Sequence, residues 1–221
     1  EIYNLAAQSH VGRSFNEPYY TYLINDQAVF ALLHTASNLD KQVKFYQASS
    51  SEMFGNCEPD KKQNEETDFK PQSPYANAKL RAYKSVKWYR EKDNLFACNG
   101  ILFNHESPRR GIEFVTQKII STARRISYGS KEKLYLGDIS TSRDWGYAPE
   151  YVEAIYAIMQ HSKPDDFVVA TGTSYSVLEF LEFAFEKFGL FYKNYVVFKE
   201  EFIRPNEVTN LVGDASKIKK V

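Results

Sequence analysis

Along the 221 residues, short apolar runs alternate with longer stretches whose apolar positions recur at three- and four-residue spacing. Ile2 to Ala7 is a brief run ending in small residues and predicts a buried strand. Tyr19 to Asn38 follows Pro18 and carries Leu23, Ala28, Ala31, Leu32 and Ala36 at helical spacing. Val43 to Ala48 predicts a second strand, closed by Ser49-Ser50-Ser51. Residues 55–73 lack periodicity and are rich in turn formers, so a long loop is expected, of a kind that often serves function. Ser73-Pro74 then opens a helix to about Lys92, with Ser as the cap and Pro in the first turn. Phe96 to Phe103 predicts a third strand, and the stretch from Asn104 to Gly111 is polar. Helices over Phe114 to Tyr128, Pro149 to His161 and Val177 to Phe188 are interleaved with strands at 134–136, Phe167 to Ala170 and Tyr195 to Phe198.

Strands alternating with helices, several of them continuous apolar runs, predict an α/β protein built on a parallel sheet. Ligands of such folds sit at the carboxyl ends of the strands. Three polar segments follow the first three predicted strands: Ala7-Gln8-Ser9-His10, Ser49-Ser50-Ser51-Glu52 and Asn104-His105-Glu106-Ser107. The charge balance narrows the choice of partner. Lys plus Arg number 28 and Asp plus Glu number 28, so no cationic excess is available to displace counterions from a nucleic-acid backbone. No apolar run approaches the roughly 18–20 residues of a membrane-spanning helix, so no membrane partner is expected. Cys57 and Cys98 have neither a disulfide framework nor zinc spacing, and a reducing, cytoplasmic setting is the expectation, with no metal site.

The chemistry centres on Tyr75-Ala76-Asn77-Ala78-Lys79. Residues four apart on a helix share a face, and an ammonium beside a phenol is expected to lower its pKa from about 10. A tyrosine so tuned serves as a general base. Tyr-x-x-x-Lys alone is a common spacing. Here a hydroxyl-rich strand end at Ser49 to Ser51 precedes it. Ser50 and Glu52 are two apart, and on extended backbone both side chains are expected to point to the cleft. In isolation Glu52 reads far more readily as a solvated loop carboxylate.

Ser50, Tyr75 and Lys79 together resemble the serine–tyrosine–lysine set of the short-chain dehydrogenase/reductase superfamily. Longer blocks are similar to one branch of it, the GDP-mannose 4,6-dehydratase family. They are Glu1 to Val11, Phe45 to Glu52, Ser73-Pro74-Tyr75, Asn99 to Gly111, Arg143-Asp144-Trp145-Gly146 and Arg204-Pro205-Asn206-Glu207-Val208. The resemblance implies a Rossmann-type doubly wound parallel sheet with a smaller α/β substrate-binding domain. It assigns 1–111 and 140–172 to the NADP-binding part, and 112–139 and 173–221 to the sugar-nucleotide part. It implies NADP as cofactor, GDP-mannose as substrate, and a homodimer or homotetramer paired through the helices at 19–38 and 74–92. The rings of Tyr19, Tyr20, Tyr22, Phe30, Tyr83, Trp88 and Tyr89 on those helices suit either an interface or a core.

Carried over residue by residue, the resemblance implies Ser50, Glu52, Tyr75 and Lys79 as catalytic. It implies Leu5, Ala6, Ala7, Gln8, Ser9, Tyr20, Lys79, His105 and Arg110 as cofactor contacts. On the substrate side it implies Asn104, Lys118, Arg143, Arg204 and Glu207. The family usually has Thr where this chain has Ser50, and more often Arg where it has Gln117. A 4-epimerase of the same superfamily would share Ser50, Tyr75 and Lys79 without needing Glu52, and a non-catalytic nucleotide-sugar-binding module is the other reading. The chain starts at Glu1 and contains no Gly-x-x-Gly-x-x-Gly turn, so it is expected to be an internal portion of a longer enzyme and, alone, to bind cofactor weakly.

Overall fold

The computed structural model describes residues 1–39, 42–56, 61–203 and 205–221; Cys57 lies outside them. The chain opens with β1 (Ile2–Asn4), shorter than the predicted strand, and α1 (Val11–Asn16), a short helix the apolar pattern does not announce. His10 caps α1, its Nδ1 accepting from Arg13 N at 3.0 Å. The predicted long helix is interrupted. It consists of α2 (Pro18–Tyr22), a wider π-helical turn at Leu23–Gln27, and α3 (Ala28–Ser37). There follow β2 (Lys44–Ser50), a 3₁₀ turn at Ser51–Met53, α4 (Pro74–Lys92) and β3 (Phe96–Leu102).

Strands β1, β2 and β3 run parallel, β2 paired with β3 from Lys44↔Phe96 to Ser50↔Leu102. Further along come β4 (Asn104–Glu106), α5 (Val115–Ser127), β5 (Leu134–Leu136), β6 (Ser142–Tyr147), α6 (Ala148–Gln160) and β7 (Asp166–Val169). Strand β7 joins the far side of β3, again parallel, giving the order β1-β2-β3-β7. Period-2 alternation sends Phe45 and Ala97 to one face, where they meet Val29, Leu33, Val86 and Tyr89 of α3 and α4. Tyr46 and Cys98 face the other way, onto Tyr151, Ile155, Ile158 and Met159 of α6. Helices therefore cover both faces of a parallel sheet, the doubly wound Rossmann-type arrangement.

The rest of the chain is β8 (Ser174–Ser176), α7 (Val177–Lys187), β9 (Val196–Phe198) and β10 (Asn210–Leu211). A second core gathers Ile119, Ala123 and Ile126 of α5, Leu181 and Phe185 of α7, and Leu134 and Leu136 of β5. Strand β5 pairs with β9, while β6 pairs with β4, β10 and, antiparallel, β8. The strands β4, β6, β8 and β10 were not predicted. They are short and polar, as in Ser142-Arg143-Asp144-Trp145-Gly146-Tyr147, and only pairing with distant segments makes them strands.

The long loop before α4 has a structural task. The Glu65 carboxylate accepts from Val168 N at 2.7 Å on β7, and Gln63 bridges Gly213. Phe69 packs on Phe54 and Tyr83. Of the aromatic residues on the helices, Tyr83 and Tyr89 are buried, whereas Tyr19, Phe30 and Trp88 are exposed.

Gly100 fixes how tightly the sheet meets α6. A Cβ there would sit 2.0 Å from Tyr46 Oη, a buried hydroxyl with no hydrogen-bond partner. Gly100→Ala is expected to cost about 1–3 kcal/mol, as overpacking does. Tyr46→Phe alone is expected to be neutral or stabilising, because it removes a buried, unsatisfied hydroxyl. Urea unfolding midpoints of both variants check this.

Candidate active site

The carboxyl ends of β1, β2 and β3 open into a cleft of about 800 Å³, closed on its far side by α5, by residues between Leu136 and Trp145, and by Glu201, Phe202, Ile203, Pro205 and Glu207. Most of the residues singled out from the sequence line it: Leu5, Ala7 and Ser9, then Ser50, Glu52, Tyr75 and Lys79, then Asn104, His105 and Arg110, and finally Lys118, Arg143 and Glu207.

Ser50 ends β2 on extended backbone, and its hydroxyl accepts from Glu52 N at 3.3 Å. Glu52 lies in the 3₁₀ turn that this contact opens. The two side chains therefore reach the cleft through a turn rather than through strand alternation, correcting the extended geometry expected from their spacing. On α4, Ser73 caps the first turn by accepting from Ala76 N at 3.0 Å, with Pro74 in first position. Tyr75 and Lys79 follow one turn apart, only 8% and 4% exposed.

The electrostatics differ from expectation. Burial raises the Tyr75 phenol to about 12. The Ser50 hydroxyl and the Arg110 charge pull in the opposite direction, and Glu52 adds to the rise. The predicted lowering by Lys79 does not occur. Its Nζ donates to Ala48 O at 2.9 Å and stands 5.9 Å from the Tyr75 ring centroid, so its charge is spent on a backbone carbonyl. Burial also pushes Lys79 itself down, to about 8.

On the cofactor side the residues divide. Leu5, Ala7 and Ser9 line the cleft, but Ala6 does not, its N donating to Asn4 Oδ1 at 3.3 Å. Gln8 is buried and acts as a strut: Nε2 donates to Thr21 Oγ1 and His10 O, and Oε1 accepts from His10 N at 2.6 Å. Asn25 clamps the same residue, accepting from Gln8 N at 2.8 Å and donating to Gln8 O at 2.9 Å. Asn25 sits in the π-helical turn, a local irregularity that the apolar spacing does not register. Tyr20 lies outside the cleft lining, on α2 beneath the Arg13 guanidinium.

His105 is half-buried and stacked on Tyr151 at 4.9 Å; desolvation lowers its pKa, and its Nδ1 lies 2.9 Å from Phe103 O. Arg110 lies over the Phe114 ring at 3.7 Å and 3.3 Å from Glu106. Lys118 donates to Tyr135 O at 2.6 Å under the Phe202 ring. Arg143 donates to Glu207 at 2.8 Å, so two residues expected on the substrate side hold one another. Arg204 lies outside the described residues.

This arrangement has the donors that a nucleotide asks for. Small residues at Ala7 and Ser9 let a ligand approach the end of β1, and Lys79 presents to the cleft a buried ammonium bonded to Ala48 O. A ribose diol needs donors of that kind, and paired guanidinium groups suit a diphosphate. Among the described residues, no group of three or more His, Cys, Asp or Glu is placed to hold a metal ion, and no helix is long and apolar enough to cross a membrane.

Comparison with known proteins adds independent support. A family model described as GDP-mannose 4,6 dehydratase matches residues 1–221. The chain is 51% identical over 226 residues to GDP-mannose 4,6 dehydratase 2 of Arabidopsis thaliana, covering all of this chain and 60% of that protein. To the Homo sapiens GDP-mannose 4,6 dehydratase it is 44% identical over 239 residues, covering 100% of this chain and 64% of the relative. The chain thus spans about three fifths of the length of such relatives. Among solved structures, a dTDP-glucose 4,6-dehydratase from Streptomyces venezuelae with NAD and TYD bound superposes with a TM-score of 0.89 at 19% identity. That match covers 99% of this chain and 65% of the other.

The lowered Lys79 pKa generates a pH-dependent prediction. Between about 8 and 10.5 the unfolded chain holds the Lys79 proton and the folded chain does not, so this group adds stability as pH rises. Lys79→Met is expected to raise stability by on the order of 1–2 kcal/mol at pH 7, fading towards pH 10. Urea titrations at pH 7 and pH 9.5 check the sign.

Proposed function

Because the chain belongs to the GDP-mannose 4,6-dehydratase family, we propose that the protein carrying it is a hydro-lyase converting GDP-mannose to GDP-4-keto-6-deoxymannose. One observation carries the reading: Ser50, Tyr75 and Lys79 meet at the end of β2 with a second acid–base group, Glu52, in the next turn. Oxidation at a sugar carbon needs the first three; elimination of water needs the fourth.

A nicotinamide dinucleotide, NADP in this reading, supplies reversible hydride transfer when bound. Leu5, Ala7, Ser9, Lys79, His105 and Arg110 are the residues proposed to hold it, with Gln8 and Asn25 shaping the segment beneath. Tyr75 Oη takes the proton of the sugar 4-hydroxyl, and the Ser50 hydroxyl bonds the same oxygen as it becomes a ketone. The groups that favour a phenolate in this buried position are the Ser50 hydroxyl and the Arg110 charge. A 4-ketone acidifies the neighbouring C5 hydrogen. Glu52 removes it and delivers a proton to the departing 6-hydroxyl, so water leaves with no net change in the protonation of Glu52; return of the C4 hydride to C6 and of a proton to C5 would complete the 4-keto-6-deoxy sugar.

Asn104, Lys118, Arg143 and Glu207 are proposed for the sugar nucleotide, Arg143 and Glu207 exchanging part of their mutual contact for diphosphate and ribose. The second core, around α5 and α7, is proposed as part of the substrate-binding unit, within 112–139 and 173–221. The exposed Tyr19, Leu23, Phe30 and Trp88 are proposed to meet a second copy of the protein, and the cytoplasm is its proposed location.

In the full-length enzyme, Glu52→Gln is expected to stop the 6-methyl doublet from appearing in the NMR spectrum of GDP-mannose incubated with NADP. A new hexose without that doublet in the wild type would instead establish a 4-epimerase. Ser50→Ala is expected to lower kcat by about 10²-fold, the usual loss for one donor to a developing oxyanion, and Ser50→Thr to retain activity. Steady-state kinetics of the two variants measure this.

A further inference from the structure

Asp144 is fully buried. It accepts four hydrogen bonds from two distant segments. Oδ1 takes Thr171 N at 2.9 Å and Thr171 Oγ1 at 2.6 Å. Oδ2 takes Gly172 N at 2.8 Å and Gly213 N at 3.2 Å. All four donors are neutral. A buried carboxylate without a counterion is costly unless its lone pairs are filled, and here backbone and hydroxyl dipoles fill them.

The two segments matter for what Asp144 ties together. Thr171 and Gly172 follow β7, the last strand of the central sheet. Gly213 follows β10 and is wedged in place: a Cβ there would lie 2.3 Å from Ala170 Cβ and 2.8 Å from the Phe103 ring. Strand β10 is the segment that returns just after Glu207, and it pairs with β6 at Leu211↔Arg143. Asp144 therefore joins β6, the end of the central sheet and the chain behind Glu207 at a single carboxylate. Its strand neighbour Arg143 points to the opposite side, into the cleft, where it holds Glu207.

We propose that Asp144 is a positioning residue for anion recognition: its carboxylate pins β6 and the Gly213 segment so that Arg143 and Glu207 present a fixed pair to the diphosphate and ribose of the substrate. The inference rests on the sugar-nucleotide reading above. It also makes a prediction opposite in sign to simple electrostatics. Asp144→Asn removes a negative charge close to Arg143, and charge alone would strengthen the binding of an anion. Positioning predicts weaker binding, because an amide in place of Oδ2 turns a donor against two N–H groups.

The test uses the full-length enzyme, with GDP-mannose kinetics and GDP affinity by calorimetry. For Asp144→Asn, KM is expected to rise and GDP affinity to fall by about tenfold, with kcat changed by less than about threefold. Thr171→Val, which deletes the hydroxyl bond to Asp144 together with that hydroxyl's longer contacts to the Thr173 backbone, is expected to weaken GDP binding by about threefold, and Thr171→Ser to restore it. If Asp144→Asn does not fold, the valine–serine pair decides. Unchanged or tighter GDP binding in a folded variant overturns the proposal. Wild-type enzyme that binds GDP but does not turn over GDP-mannose overturns the functional reading and leaves the GDP measurement to judge the clamp. Wild-type enzyme that does not bind GDP overturns both.

Discussion

The contact on which the site depends is a single charge-assisted hydrogen bond, from the Lys79 ammonium to the Ala48 carbonyl. It ties the first turns of α4 to the last residues of β2 across the top of the sheet. Ala48 lies two residues before Ser50, and Tyr75 lies one helical turn before Lys79. Fixing this one link fixes the distance between hydroxyl and phenol. It also keeps a cation in a place that burial disfavours, which tilts the ammonium towards release of its proton. The parallel register of β2 on β3 supplies the other constraint, since Ser50 and Leu102 end their strands side by side. Together they converge three polar strand ends on one cleft, the place where a parallel sheet leaves its helix-facing loops free for chemistry.

Much of this was legible in the amino-acid sequence because it is local. The Ser73-Pro74 cap, the one-turn spacing of Tyr75 and Lys79, and the apolar strands β2 and β3 each depend on neighbours within a few residues. What escaped depends on distant partners. Strand β6 has no apolar alternation and exists by pairing with β4, β8 and β10. The Asn25 clamp on Gln8 spans 17 residues, and the contacts of Asp144 span 27 to 69. The expected fall of the Tyr75 pKa failed for a related reason. Spacing places the lysine on the right face, but only the folded backbone shows that Ala48 O claims its ammonium. Tyr20 was likewise placed by position in a pattern, and the turn of α2 carries its ring away from the cleft.

The cleft also shows how charge is held before a ligand arrives. Arg110 is matched by Glu106 and Arg143 by Glu207, and Glu106 is itself held by Thr116 Oγ1 at 2.6 Å. Each guanidinium is thereby kept in one orientation, which lowers the conformational entropy lost on binding an anion. The cost is competition, since a phosphate must share the guanidinium with the carboxylate already there. Such an arrangement favours ligands that offer both an anion and hydroxyl donors, because only they repay both members of a pair.

The Glu65 carboxylate on Val168 N has a consequence for association. A parallel sheet has two outer edges, and a bare edge is a template for strands of other molecules. At β7 that template is occupied from within. Glu65 takes an outward amide, and the Gln63–Gly213 bridge covers the neighbouring backbone. The carboxylate would repel an arriving carbonyl, and the loop blocks its approach. On this flank the sheet is closed to β-augmentation, so a partner docking here has to recognise side chains rather than main chain.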